Sequence, residues 1–258
     1  MRRPSLVAGG QATKLSASET EWMRADSILG DTVVRQFGGR YSSELHIDLD
    51  AGDAEVERWF VACTLFGTRI STQIAERSFE QLTRAGIRKI VDVGTRDWND
   101  LVALLDAGGY ARYDFRTATR LQSLARVVAD RYGGAVAAIG RRFVDPGALV
   151  AALDDLPGWG PVTVGLFLRE LRGVWPGAEL PLDPRAADAA RHVGLLTGHD
   201  DNALTRLSHI AAEAGYDERD LEAACVRLSL AHRRNTDCPG GRRCVVLAGK
   251  HGTGAASA

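Results

Sequence analysis

Apolar residues along this chain recur three and four positions apart, and strict alternation is almost absent, so the pattern is helical throughout. Trp22, Ile28, Val33 and Val34 form one apolar stripe and predict a helix over residues 19–38, broken by Gly38-Gly39. Residues 41–53 are polar and read as an extended connection. A strongly apolar helix follows over 55–66, with Trp59-Phe60-Val61-Ala62-Cys63 as a core segment. Residues 67–72 interrupt the pattern before a helix over 73–85. A connector over 86–96 leads to a helix over 97–107, and the Gly108-Gly109 turn leads to another over 116–132, ended by Gly133-Gly134. Asp145-Pro146 marks a further helix start, and the last helices are expected over 186–193, 202–214 and 218–231. With no strand pattern and no internal repeat, the expected fold is all-α.

The most informative punctuation lies between two of these helices. Val150, Leu153 and Leu156 fall at helical spacing, and Pro157 ends that helix because proline disfavours helical geometry in the residue before it. Gly158 and Gly160 permit a tight turn, and Pro161 suits the first position of a new helix. An apolar run to Val174 follows, carrying one charged patch at Arg169-Glu170 and Arg172. Such a turn directs the backbone N–H groups of Gly158, Gly160 and Val162 outward at a helix N-terminus, a ready site for an anion such as a DNA phosphate. An ordinary pair of antiparallel helices with a glycine turn would read the same way.

Leu182-Asp183-Pro184-Arg185 stands about twenty residues beyond the turn, before an amphipathic run to Val193-Gly194. Together, LPGWGP and this aspartate resemble the helix-hairpin-helix of the endonuclease III (HhH-GPD) superfamily of DNA glycosylases, over roughly residues 55–245. The resemblance implies two helical lobes around a cleft. Residues 18–66 and 184–258 would form one lobe, residues 67–183 the other with the hairpin at 150–174, and residues 1–17 a mobile arm. It implies a catalytic Asp183, with Gly158, Trp159, Gly160, Val162, Thr163, Arg112 and Arg185 on DNA. Arg69 would fill the space of a flipped base, or else lie solvated beside a capping turn. Tyr110 and Tyr113, in a Gly-x-Tyr turn, would line a base pocket, with Phe115 beside them, or else are core aromatics at a helix start. Asp183-Pro184 is equally a strong helix cap, a role compatible with catalysis.

Two departures from that family bear on the chemistry. Members that also cut the strand carry a lysine where this chain has Val162, and the only lysines here are Lys14, Lys89 and Lys250. The expectation is therefore a monofunctional glycosylase that uses water as nucleophile. Many members hold a [4Fe–4S] cluster on four cysteines, whereas the matching positions here are Leu228, Asn235, Cys238 and Cys244. No cluster and no other cofactor is expected. Zinc on Cys225, His232, Cys238 and Cys244 fits by ligand type, although the spacing is atypical.

Charge changes this picture little. The 258 residues carry a formal net charge of −1, which does not announce a nucleic-acid binder. Basic residues nevertheless gather near the C-terminus at Arg227, His232, Arg233, Arg234, Arg242, Arg243 and Lys250, as a phosphate-binding face or a solvated tail. The four cysteines make no disulfide framework, and no apolar run reaches membrane length. A cytoplasmic, nucleoid-associated monomer is expected, acting on double-stranded DNA with a lesion or mismatch. A non-catalytic binder of damaged DNA with the same fold is the alternative.

Overall fold

The computed structural model describes residues 17–66, 70–110, 113–198, 202–232 and 237–247, with side chains from Arg24 onward. The expected arm over 1–17 lies outside these residues except at Ala17, as do Arg69 and Arg112. Among the described residues the fold is all-α, as the periodicity predicts. Its helices are α1 (Ala17–Phe37), α2 (Tyr41–Glu44), α3 (Asp53–Phe66), α4 (Thr72–Arg84), α5 (Trp98–Ala107) and α6 (Asp114–Tyr132). They continue with α7 (Ala137–Arg142), α8 (Pro146–Asp154), α9 (Pro161–Glu170), α10 (Pro184–Val193), α11 (Ala203–Glu213) and α12 (Glu218–His232). Side chains mark several starts: Ser71, Asp97, Asp145 and Asp183 each accept a backbone N–H of the first turn they precede.

Two hydrophobic cores organise these helices. One is built from α3 to α9 and centres on aromatic rings: Phe60 stacks on Trp159 at 4.4 Å, and Phe167 meets Trp175 edge-on at 5.4 Å. The other joins Leu29, Val33 and Val34 of α1 to α10, α11, α12, Cys244 and Val246. The N-terminal helix thus returns to pack with the C-terminal ones. Ile28, read as an apolar contact of α1, points to solvent instead, and Leu29 takes its place on the buried face.

The boundary between the two cores falls earlier than the expected Phe66. Ile47, Leu49 and all of α3 pack with the hairpin core, because Trp59, Phe60 and Leu65 bury against α9 and its neighbours rather than against α12. The stretch over 41–53 is also not extended: Tyr41–Glu44 is a helical turn and Leu49–Ala51 a 3-10 turn. The helix α7 was not expected from the pattern. The segment crossing between the cores is short, with Leu180 packed on the first and Leu182 on the second. Asp183 follows immediately and so stands at the junction.

Candidate functional site

The turn between α8 and α9 is held from below. Gly158 has φ +79°, a left-handed geometry, and a Cβ built there would lie 1.7 Å from Cδ of Arg120. Arg120 is itself fixed by a hydrogen bond from its guanidinium to the Thr64 carbonyl at 2.9 Å. Gly160 is different: its backbone is extended, it caps α9, and a Cβ there would meet nothing within 4 Å. Pro161 has no N–H, and Val162 and Thr163 occupy the next two helical positions, whose N–H groups have no acceptor within the helix.

Trp159, expected at DNA, belongs to the core. It is 7 % exposed, its indole N–H donates to Thr64 Oγ1 at 3.2 Å, and its backbone N–H donates to Leu156. The Thr163 side chain is buried as well, so only its backbone is free to face a ligand. Val162 is 61 % exposed and borders two hollows at once. The first, about 850 Å³, is an open groove lined by Trp98, Phe115, Arg116, Arg120 and the turn itself. Phe115 is exposed there, with Trp98 at 5.3 Å between ring centroids.

The second hollow, about 460 Å³, lies where the two cores meet, a size that suits a small ligand. Tyr41, Phe66, Ile70 and Ala75 form one wall, Val162, Gly165, Leu166 and Arg169 of α9 another, and Asp183, Pro184, Arg185, Val226 and Leu230 the third. Asp183 and the N-terminal half of α9 therefore share one cavity. Arg185 also lines it and is exposed. Tyr110 and Tyr113 do not: Tyr110 is 1 % exposed with its hydroxyl donating to the Leu65 carbonyl at 2.8 Å, and Tyr113 packs on the same core. The aromatic residues of this cavity are Tyr41 and Phe66 instead. Burial holds the Tyr41 phenol above its ordinary value, against the pull of Arg227 and Arg169. Arg227, one of the residues read as a basic face, covers the Tyr41 ring at 3.7 Å and is paired with Glu44 at 2.7 Å.

Asp183 is held at three points. Its Oδ1 accepts the Arg185 N–H at 2.8 Å as a helix cap. Its Oδ2 lies 3.5 Å from Nη1 of Arg169. Its backbone N–H donates to Glu222 Oε1 at 2.9 Å, and the other oxygen of Glu222 pairs with Arg172 at 2.5 Å. Glu222 and Arg172 are 1 % and 4 % exposed, so this ion pair sits inside the junction and fixes the peptide that carries Asp183. Nε of Arg169 is buried beside the cavity without a partner. Sequence reasoning missed Glu222, Tyr41 and Phe66 here. The signal within reach was the Arg169-Glu170 and Arg172 patch, since charges inside an apolar helical run need buried partners.

No lysine lies near this cavity among the described residues. Lys89, the one lysine described, is exposed at the start of the Ile90–Thr95 3-10 turn. The cysteines divide differently from the expected set. Cys225 is buried in the second core, where desolvation pushes its thiol up to about 12. Cys238 and Cys244 approach His192 and His232 instead. Against protein-family models and against curated proteins the chain finds no match, so its residues and their geometry carry whatever function is assigned to it.

Proposed function

We propose that the chain is a monofunctional DNA glycosylase that hydrolyses the N-glycosidic bond of a base extruded from duplex DNA. The observation that carries this reading is the shared cavity, which Asp183 and the first turn of α9 both line. The free amides of Val162 and Thr163 hold a backbone phosphate, Arg116 lines the adjoining groove, and the extruded base enters the space between Tyr41, Phe66 and Asp183. The bond from C1′ to the base nitrogen breaks, and the base leaves with the electron pair. The Asp183 carboxylate stabilises the positive charge that develops on the sugar and orients water, which adds to C1′ and loses a proton to solvent while the departing base takes one up, leaving the free neutral base and the C1′ hydroxyl. With Val162 at the rim rather than an amine, no Schiff base forms and the product is an intact abasic site.

One observation favours the non-catalytic alternative. Both oxygens of Asp183 already have protein partners, as cap and beside Arg169. Asp183→Asn separates the readings, because asparagine caps about as well as aspartate but carries no charge. On a panel of duplexes each bearing one lesion or mismatch, the wild type should produce alkali-labile abasic sites, and borohydride should trap no adduct. The variant should fold and bind alike yet lose excision by orders of magnitude, several kcal/mol in barrier. Excision at the wild-type rate would reduce Asp183 to a cap. DNA binding without excision on any duplex would favour the non-catalytic reading.

A further inference from the structure

A second constellation lies at the far end of the helix that Asp183 opens. His192 is in the last turn of α10, His232 closes α12, and Cys238 and Cys244 flank the Gly241–Arg243 3-10 turn. One ligand atom from each of the four lies within 4.8 Å of all the others. Nε2 of His192 is 3.3 Å from Sγ of Cys238, and that sulfur also accepts the Val245 N–H at 3.3 Å. The two imidazoles lie 4.3 Å apart between centroids, tilted by 60°. Nε2 of His232 is sealed from solvent and has no hydrogen-bond partner, a costly state for an imidazole nitrogen that a metal bond would relieve.

We propose that His192, His232, Cys238 and Cys244 bind one zinc ion in a tetrahedral structural site. Two thiolates and two imidazoles are the donor set that zinc prefers, and four protein ligands leave no open position for catalysis. Zn–S and Zn–N bonds of about 2.3 and 2.0–2.1 Å put ligand atoms roughly 3.3–3.8 Å apart, so no pair of the four needs to close by more than about 1.5 Å. The loop is shaped for this approach. Gly240 has φ +68°, and a Cβ there would lie 2.9 Å from the His192 carbonyl, so only glycine lets the cysteine loop press onto α10. Two histidines in the set rule out the four thiolates of a [4Fe–4S] cluster. The ion would tie together the ends of α10 and α12 and the segment that follows them. It would thereby brace the two helices that present Asp183 and Glu222 without touching the cavity.

The proposal stands apart from the glycosylase reading, and its test needs no DNA. Full-length protein purified without chelator should contain about one zinc per chain and no stoichiometric iron. After chelator stripping, titration with cobalt(II) should give the visible bands of a tetrahedral ion and the near-ultraviolet charge transfer of thiolate ligands. Zinc at about 1,000 times its Kd should raise Tm by about 10 °C. Cys238→Ser and His192→Ala should lower bound zinc at least tenfold, while Cys225→Ser and Cys63→Ser should retain it. If the ligand variants do not fold, the cobalt spectrum of the wild type decides. A wild type that binds neither zinc nor cobalt stoichiometrically, a Cys238→Ser protein with an unchanged cobalt spectrum, or iron–sulfur absorption would each overturn the proposal.

Discussion

The two glycines of the α8–α9 turn should respond oppositely to substitution, although the sequence presents them as a matched pair. At Gly158 an alanine meets left-handed geometry, costing about 1–2 kcal/mol. Its Cβ also displaces the stem of Arg120, 1.7 Å away, and with it the hydrogen bond to the Thr64 carbonyl. A hydrogen bond from a charged donor is worth about 1.5–3 kcal/mol. Gly158→Ala should therefore destabilise by about 3–4 kcal/mol, or about 10 °C in Tm for a chain of this size. Gly160 has extended backbone at the N-cap and open space around it, so Gly160→Asp should match or slightly exceed wild-type stability. The new carboxylate would accept the Val162 or Thr163 N–H and stand where a phosphate is proposed to bind. Affinity for any duplex should fall about tenfold or more, ~1.4 kcal/mol, with the gap narrowing as salt rises. Urea or thermal unfolding reads the first effect, and fluorescence anisotropy with labelled duplex at several salt concentrations reads the second. Unchanged stability of Gly158→Ala would refute the Arg120 packing argument. Wild-type DNA affinity of a folded Gly160→Asp protein would remove the turn from DNA contact.

Three further outcomes follow from the junction and its surroundings. Glu222→Ala leaves Arg172 buried without its 2.5 Å partner and should cost about 3–5 kcal/mol in urea unfolding, with excision falling as the Asp183 peptide loses its anchor; a loss under 1 kcal/mol would refute the buried-pair account. Val162→Lys places an amine on the rim of the Asp183 cavity, and borohydride should then trap a protein–DNA adduct absent from the wild type; no adduct from an active variant would mean the sugar does not reach this rim. Burial holds Glu57 above its ordinary value of 4.5, so the folded state keeps a proton that the unfolded chain releases, and this residue makes stability fall as pH rises from 4.5 through the folded pKa. Glu57→Gln should lose that share of the decline, and an unchanged slope in urea unfolding across the window would contradict it.

Much of this protein is determined locally. Helical periodicity, the Asp-Pro helix starts and glycine breaks predicted the main helices to within a few residues, because each signal acts within a turn or two of its own position. The turn at Gly158, the cap at Asp183 and the valine in place of a lysine were legible for the same reason. What the sequence could not decide is which apolar face meets which. Trp159 and Tyr110 are aromatic residues beside glycine turns, and nothing local distinguishes a ring that stacks on a base from one that stacks on Phe60 or bonds the Leu65 carbonyl. Tertiary packing settled both in favour of the core, and it moved α3 into the hairpin core because Trp59 and Phe60 find their partners on α9 and the turn before it. Glu222 and His192 were hidden for a related reason. Each acts through a partner on another helix, Glu222 with Arg172 and Asp183, His192 with Cys238. Periodicity records burial along one helix, but distances between helices arise only when the chain folds back on itself.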